Sequence, residues 1–241
     1  MAPCDYLEWD SNFFGFRIAQ YREHLLSEDS WRSAELWCRE QNIDCLYLLA
    51  DSSDPQTASV AQAHSFRFVD TRVLLEAQTS PHTEPPAGVR PAQPEDIETL
   101  RRIARSSHYG SRFFFDSRFP RSRAEDLYAA WIQRSLDGWA HAVLVTESDG
   151  GVVGYITCHL SDTQGSIGLL AVDQSHRGRG RGRQMLAAAM HLFQHSGMRT
   201  VLVVTQARNI ASQRLYQQAG FRTRSVQVWF HRWFDKSTPG G

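Results

Sequence analysis

An α/β fold with a mixed sheet is the class this sequence predicts, and three observations lead there. Short apolar runs of strand length alternate with segments of helical periodicity along most of the 241 residues. A glycine-rich turn, Arg177-Gly178-Arg179-Gly180-Arg181-Gly182, joins one such run to one such segment. A proline-rich stretch at 77–88 separates two pieces that share an order of elements.

The first piece, residues 1–76, opens with an aromatic, turn-rich segment at 7–15 and a short strand at 16–21. Trp31, Ala34, Leu36, Trp37 and Cys38 fall at helical spacing and predict a helix over 31–41. CLYLLA at 45–50 reads as a strand. Pro55 suits the first turn of a helix reaching about His64, and 66–75 reads as another strand. Residues 77–88, AQTSPHTEPPAG, hold three prolines and little apolar content, and read as a linker.

The second piece, 89–241, starts with Val89-Arg90-Pro91-Ala92 and a helix to about Ser106. Residues 108–120, HYGSRFFFDSRFP, are aromatic and basic and break the periodicity. A helix at 122–136 follows, then strands at 142–146 and 152–159 joined in a hairpin by Asp149-Gly150-Gly151. The apolar run 167–172 is a strand. After the glycine turn, Met185, Leu186, Ala189, Met190 and Phe193 recur at helical spacing. TVLVVTQ at 200–206 is a strand, 209–219 a helix stopped by Gly220, and 226–233 a last strand.

Shifting the chain on itself by 155 residues aligns 31–75 with 186–230 without a gap. Gln62, Phe66, Arg67 and Val73 then match Gln217, Phe221, Arg222 and Val228. A degenerate half-copy and two unrelated α/β segments both stay open on so few identities. In the first piece Arg22-Glu23-His24-Leu25-Leu26-Ser27 stands where the second has its glycines, and Ala61 where it has Tyr216. The first piece therefore reads as a structural support.

A formal net charge of zero gives no global pull toward nucleic acid or membrane. MAPCDYLEWD lacks the basic start and apolar core of a signal peptide, and no apolar run approaches the roughly 20 residues of a membrane span. Cys4, Cys38, Cys45 and Cys158 are scattered without C-x-x-C spacing, which predicts reduced thiols in a cytoplasmic protein. His191 and His195 lie at helical i, i+4 spacing, but the Glu of H-E-x-x-H is missing and Leu192-Phe193 reads as core, so no metal is expected.

The glycine turn carries the chemistry. Glycines let the backbone bend tightly and let a ligand approach the N–H groups. The first N–H groups of the helix behind it have no internal partner and carry partial positive charge, which suits a phosphate. Arg177, Arg179, Arg181 and Arg183 crowd that positive end, a conflict that a bound polyanion removes. The flanking strand and helix speak for an ordered loop over a disordered RNA-binding arginine–glycine tract. The spacing fits neither G-x-x-x-x-G-K-[ST] nor G-x-G-x-x-G.

Arg177-x-x-Gly180-x-Gly182 after Leu170-Ala171-Val172, with TQARNIASQRLYQQAGF at 205–221, resembles the GNAT acetyltransferase family. The resemblance implies a GNAT fold with a degenerate half-GNAT ahead of it and acetyl-CoA as co-substrate. It implies that the amides of Gly178, Arg179, Gly180, Arg181 and Gly182 hold the pyrophosphate, with Leu170, Ala171 and Val172 pairing with the pantetheine arm. It implies that Asn209 contacts the same arm and that the Tyr216 hydroxyl faces the thioester sulfur. On local grounds Asn209 is equally a plain helix cap, and Tyr216 equally a core residue. Many members place a Glu on the strand before the loop. Here SIGLLAV has none, so the base is left among His159, Asp162, His108 and a water chain, with His159 favoured. Cys158 is expected in the core.

LEWDSNFFG, SRFFFDSRFP and LYAAWIQRSLDG further resemble the branch that acetylates TDP-linked 4-amino-4,6-dideoxy sugars. That implies an acceptor site lined by Ser111, Arg112, Phe113, Phe114 and Arg118. The arginines suit a diphosphate and the phenylalanines a thymine or sugar face; the same residues also suit local core and surface. Other amines (an antibiotic, a polyamine, a protein N-terminus) and a catalytically silent CoA-binding regulator stay open, as does a homodimer.

Overall fold

Apolar runs and helix caps set the chain's path in the computed structural model, which describes residues 2–80 and 86–234. In order, the path runs through β1 (Cys4–Tyr6), α1 (Glu8–Phe14), β2 (Ile18–Tyr21), α2 (Glu28–Glu40), β3 (Cys45–Asp51), α3 (Pro55–Ala63) and β4 (Arg67–Gln78). It continues with β5 (Val89–Pro91), α4 (Ile97–Arg105), α5 (Arg112–Phe115), α6 (Arg121–Arg134), β6 (Ala142–Ser148), β7 (Gly151–Ser161) and β8 (Gln164–Val172). It closes with α7 (Arg181–His195), β9 (Thr200–Gln206), α8 (Ile210–Gln218) and β10 (Arg222–Trp233). The architecture is mixed α/β, as the patterning predicts. Among the described residues no helix is long and apolar enough to cross a membrane.

β1 and the short α5 were not expected, and two longer segments also differ from the sequence reading. The aromatic stretch after Leu7 is a helix: α1 has no side-chain cap at its start and is stopped by Gly15 in the left-handed region. At seven residues it is too short to show a period, so only its stop signal was legible. β4 runs on to Gln78, so the expected linker begins inside a strand, and residues 81–85 of that expectation lie outside the described residues.

Contacts gather the described chain into two compact units. One holds the residues up to Arg72, Phe115–Phe119 and those from Val226. In it β1 pairs antiparallel with β2, β2 parallel with β3, and β3 antiparallel with β10. Its core gathers Trp31, Ala34 and Cys38 of α2 with Leu46, Leu48 and Ala50 of β3 and Val60 and Ala61 of α3. The segment 115–119 is anchored there by Asp116. His231 Nδ1 lies 2.7 Å from its carboxylate, Trp233 Nε1 donates to it at 2.8 Å, and the Arg118 N–H donates at 3.1 Å. Burial alone would raise the Asp116 pKa; these hydrogen bonds outweigh it and hold the group below the ordinary carboxylate range.

The other unit holds Val73–Phe114, as far as described, and Pro120–Ser225. β5, β6, β7 and β8 pair antiparallel in sequence, β8 pairs parallel with β9, and the Val73–Gln78 end of β4 lies beyond β9. Val73, Leu75 and Ala77 join Ile156, Cys158, Ile167, Met185, Phe193, Val201 and Val203 in its core, against α7. Cys158 is thus a core thiol, and burial pushes its pKa up to about 12.

The offset of 155 residues carries β3 onto β9, α3 onto α8 and β4 onto β10, residue for residue. It also carries one cap onto another: Asp54 accepts from Thr57 N at 2.9 Å, and Asn209 from Ser212 N at 3.1 Å. The shared order is therefore a repeated piece of architecture in which Ala61, fully buried, takes the place of Tyr216.

Candidate active site

In the second unit the ladder between β8 and β9 stops early. Pairing runs from Gln164↔Thr200 to Ile167↔Val203, while β8 continues to Val172 and β9 to Gln206. From Gly168 onward the β9-facing edge of β8 has no strand partner among the described residues, so its backbone groups, apart from the Val172 carbonyl that Arg177 takes, are available to an extended ligand. The divergence starts at a bulge. Ile156 faces Leu170 and Cys158 faces Ile167, so Gly168 and Leu169 together oppose Thr157 alone. The Leu169 N–H donates to Thr157 Oγ1 at 2.8 Å, which satisfies the donor that the bulge frees from the ladder.

The open edge leads into the glycine turn. Gly178 and Gly180 take φ of 76° and 77°, the left-handed region where a side chain would strain the backbone. Gly180 caps α7 without a side-chain hydrogen bond, so the first N–H groups of that 15-residue helix face the turn. Gly182 serves a different purpose. A Cβ there would stand 3.3 Å from Leu215 and 4.0 Å from Leu170, so its bareness lets α7 close on α8 and β8. Arg183 Nη2 also donates to Gln218 Oε1 at 2.9 Å, tying the same two helices. The strand end, glycine turn and Asn209–Tyr216 helix, read separately in the sequence, thus meet at one place.

The arginines divide. Arg177 Nε donates to Val172 O at 3.0 Å and its Nη2 to Ser107 Oγ at 3.4 Å. Arg181 reaches Gln184 Oε1 at 3.3 Å and Ser148 Oγ at 3.2 Å, and Arg179 is exposed. Asn209 is the N-cap of α8, with an oxygen on Ser212 N. Tyr216 is 4% exposed, stands 5.6 Å from the Phe221 ring, and has its pKa pushed upward by burial, so it is a protonated phenol at neutral pH.

On the other face of β7 stand Tyr155, Thr157 and His159. His159 Nε2 lies 2.5 Å from where a Gly168 Cβ would sit, which puts the imidazole directly against the bulge. Burial lowers its pKa and a hydrogen bond to the Trp139 backbone partly opposes that, so the ring is neutral near pH 7. His108, the other imidazole candidate, is stacked on Tyr128 at 4.3 Å with Nε2 3.1 Å from the Tyr155 hydroxyl. Burial, helped by the Arg177 charge, lowers it to about 4. Asp162 sits with positive φ in the turn between β7 and β8.

Of the expected acceptor residues, Ser111 is 5% exposed and its Oγ is a buried hydroxyl with no hydrogen-bond partner among the described residues. Arg112 lies over the Phe113 ring at 4.6 Å, Phe113 is buried, and Phe114 meets Tyr109 edge-on at 5.3 Å. Arg118 belongs to the other unit, where it lies 5.5 Å from the Trp233 ring centroid. Thr157, Tyr155 and Trp139 escaped the sequence reading. A threonine or tyrosine inside an apolar strand carries no mark of its own, and only the bulge gives Thr157 its task. Among the described residues no group of three or more His, Cys, Asp or Glu is placed to hold a metal ion.

Comparison with known proteins fits this geometry. The dTDP-fucosamine acetyltransferase of Escherichia coli O6:H1 is 29% identical over 238 residues, 96% of this chain and 98% of that one. The spore coat polysaccharide biosynthesis protein SpsD of Bacillus subtilis is 28% identical over 193 residues, 79% of this chain and 67% of that one. A GCN5-related N-acetyltransferase from Sphaerobacter thermophilus shares the fold, with a TM-score of 0.66 at 17% identity over 95% of this chain and 76% of that one. The model of the acetyltransferase (GNAT) family matches residues 98–221, a span that includes the diverging strands, the glycine turn and Tyr216. Since that match covers more than half of the 241 residues, and the fold it implies surrounds the site, this chain belongs to the GNAT family of N-acetyltransferases.

Proposed function

We propose that the protein moves an acetyl group from acetyl-CoA to the amino group of a dTDP-linked amino sugar, by direct transfer in a ternary complex. The observation that carries the reading is the open edge of β8 from Gly168 on, running into the uncapped start of α7. In it Leu170, Ala171 and Val172 hold the pantetheine arm by their backbone, beside Asn209. The amides of 178–182, with Arg177, Arg179 and Arg181, hold the pyrophosphate. The bare Gly182 and the left-handed Gly178 and Gly180 suit that close approach.

His159, neutral and held against the bulge, takes the proton of the attacking amine as the C–N bond forms. N–H groups of the open β8 edge stabilise the negative charge that gathers on the thioester oxygen. Tyr216 gives its proton to the sulfur as the C–S bond breaks. The sugar acceptor is supported by the relative aligned over nearly the whole of both chains, whose name states that chemistry. It is supported also by the buried Ser111 hydroxyl, next to Arg112 in the chain, which has no hydrogen-bond partner among the described residues. The four cysteines, buried free thiols, agree with a cytoplasmic enzyme.

Thiol release from acetyl-CoA in the presence of a dTDP-linked 4-amino-4,6-dideoxy sugar tests this. Release with that sugar and little with the free sugar, spermidine or a peptide amine is the expected result. Release with spermidine or peptide alone would remove the sugar acceptor. No uptake of acetyl-CoA in calorimetry would remove the transferase.

A further inference from the structure

Trp139 stands out beyond the residues assigned above. It follows Gly138, whose left-handed φ of 99° kinks and stops the helical run that Ser135 continues from α6. At that stop the indole turns out: Ser135 and Ala140 on either side are buried, while Trp139 is 52% exposed. The segment is nonetheless fixed at both ends, by Ser135 Oγ donating to Trp131 O at 2.8 Å and Ala140 N to Ser135 O at 3.3 Å. A large aromatic held half in water offers an apolar ring and a polar N–H that a ligand can meet.

Its surroundings say which partner. The ring meets His159 edge-on at 5.0 Å between centroids, and the Trp139 backbone hydrogen-bonds the same imidazole. His159 in turn touches Gly168, where β8 leaves β9. The Arg134 guanidinium lies over the indole, 5.2 Å from its centroid, and so takes up one side of the ring. A half-exposed indole, the cation over it and a neutral imidazole at its edge therefore lie together at the point of divergence. A pyranose has one face of C–H groups and a rim of hydroxyls, which matches that set.

We propose that Trp139 is the platform for the acceptor sugar: its indole packs against the C–H face of the pyranose and aims the amino group at His159. This rests on the acceptor reading above and adds the residue that selects a sugar ring over other amines. The apolar contact is made equally in the ground and transition states, so it acts on acceptor affinity.

Steady-state kinetics of Trp139→Ala and Trp139→Phe test it, with the dTDP-amino sugar and acetyl-CoA varied in turn and the melting temperature followed. In Trp139→Ala the KM for the sugar should rise roughly tenfold or more, while the KM for acetyl-CoA stays within about twofold. Trp139→Phe should recover most of the loss. An unchanged sugar KM in Trp139→Ala would overturn the platform alone. So would a lowered melting temperature with both KM values shifted together, the mark of a purely structural role. Wild-type protein that acetylates no amino sugar would overturn the acceptor reading itself, which this outcome separates from the other two.

Discussion

In the proposed transfer, Tyr216 and His159 divide the proton work between two environments. A phenol buried among Phe221 and the α7 core keeps its proton, and an imidazole part-buried at the bulge stays neutral, with one ring nitrogen free to take a proton. Tyr216→Phe keeps the ring and removes the proton, so turnover should fall roughly 100-fold with acetyl-CoA affinity little changed; stopped-flow or steady-state kcat beside calorimetry checks this. His108 makes a different prediction. Burial holds it neutral in the folded chain down to about pH 4, against an ordinary value of 6.5. Between those values the unfolded chain binds the extra proton, so stability rises with pH there and is lost as pH falls from 6.5 toward 4. Urea midpoints measured across that range should fall more steeply for the wild type than for His108→Gln, which cannot titrate.

At the level of elements, the site depends on two strands that start together and part. The bulge at Gly168 ends the ladder, Thr157 satisfies the donor set free, and the glycine turn lets α7 begin beside the open edge. Gly180→Ala asks a side chain to sit at φ 77°, at a cost of roughly 1 kcal/mol. Nothing stands within 4 Å of the added methyl, so strain alone acts. The KM for acetyl-CoA should rise about fivefold with kcat nearly unchanged, and a larger loss of kcat would point to damage beyond the turn. The same elements were largely legible beforehand: the glycine run, the apolar strand and the helical spacing of Met185, Leu186, Ala189, Met190 and Phe193 are local signals. The bulge was not, because Gly168 and Leu169 look like any strand residues until Thr157 is set opposite them.

For the whole molecule, the first stretch of chain is more than a preface to the second. Val73, Leu75 and Ala77 of β4 lie in the core that α7 covers. A chain beginning at residue 81 loses all three, and truncating even one such buried leucine to alanine costs about 2–5 kcal/mol. That shortened chain should give little soluble protein and no thiol release; a soluble, fully active product would show that β4 is dispensable. The composition and net charge of zero set only broad limits here, since they say nothing of which strand neighbours which.

From the sequence alone came the fold class, the glycine turn and the rough order of elements, because each is written in spacing, glycine placement or helix caps within a few residues, and the family came by resemblance of two motifs. Only the tertiary structure decided that β8 and β9 part at a bulge, that β4 completes the core around α7, and that His159 rather than His108 lies against Gly168. It also decided that an indole sits half-bare beside it. Those facts depend on which side chains distant segments bring face to face, and periodicity carries no information about the residue that will stand opposite.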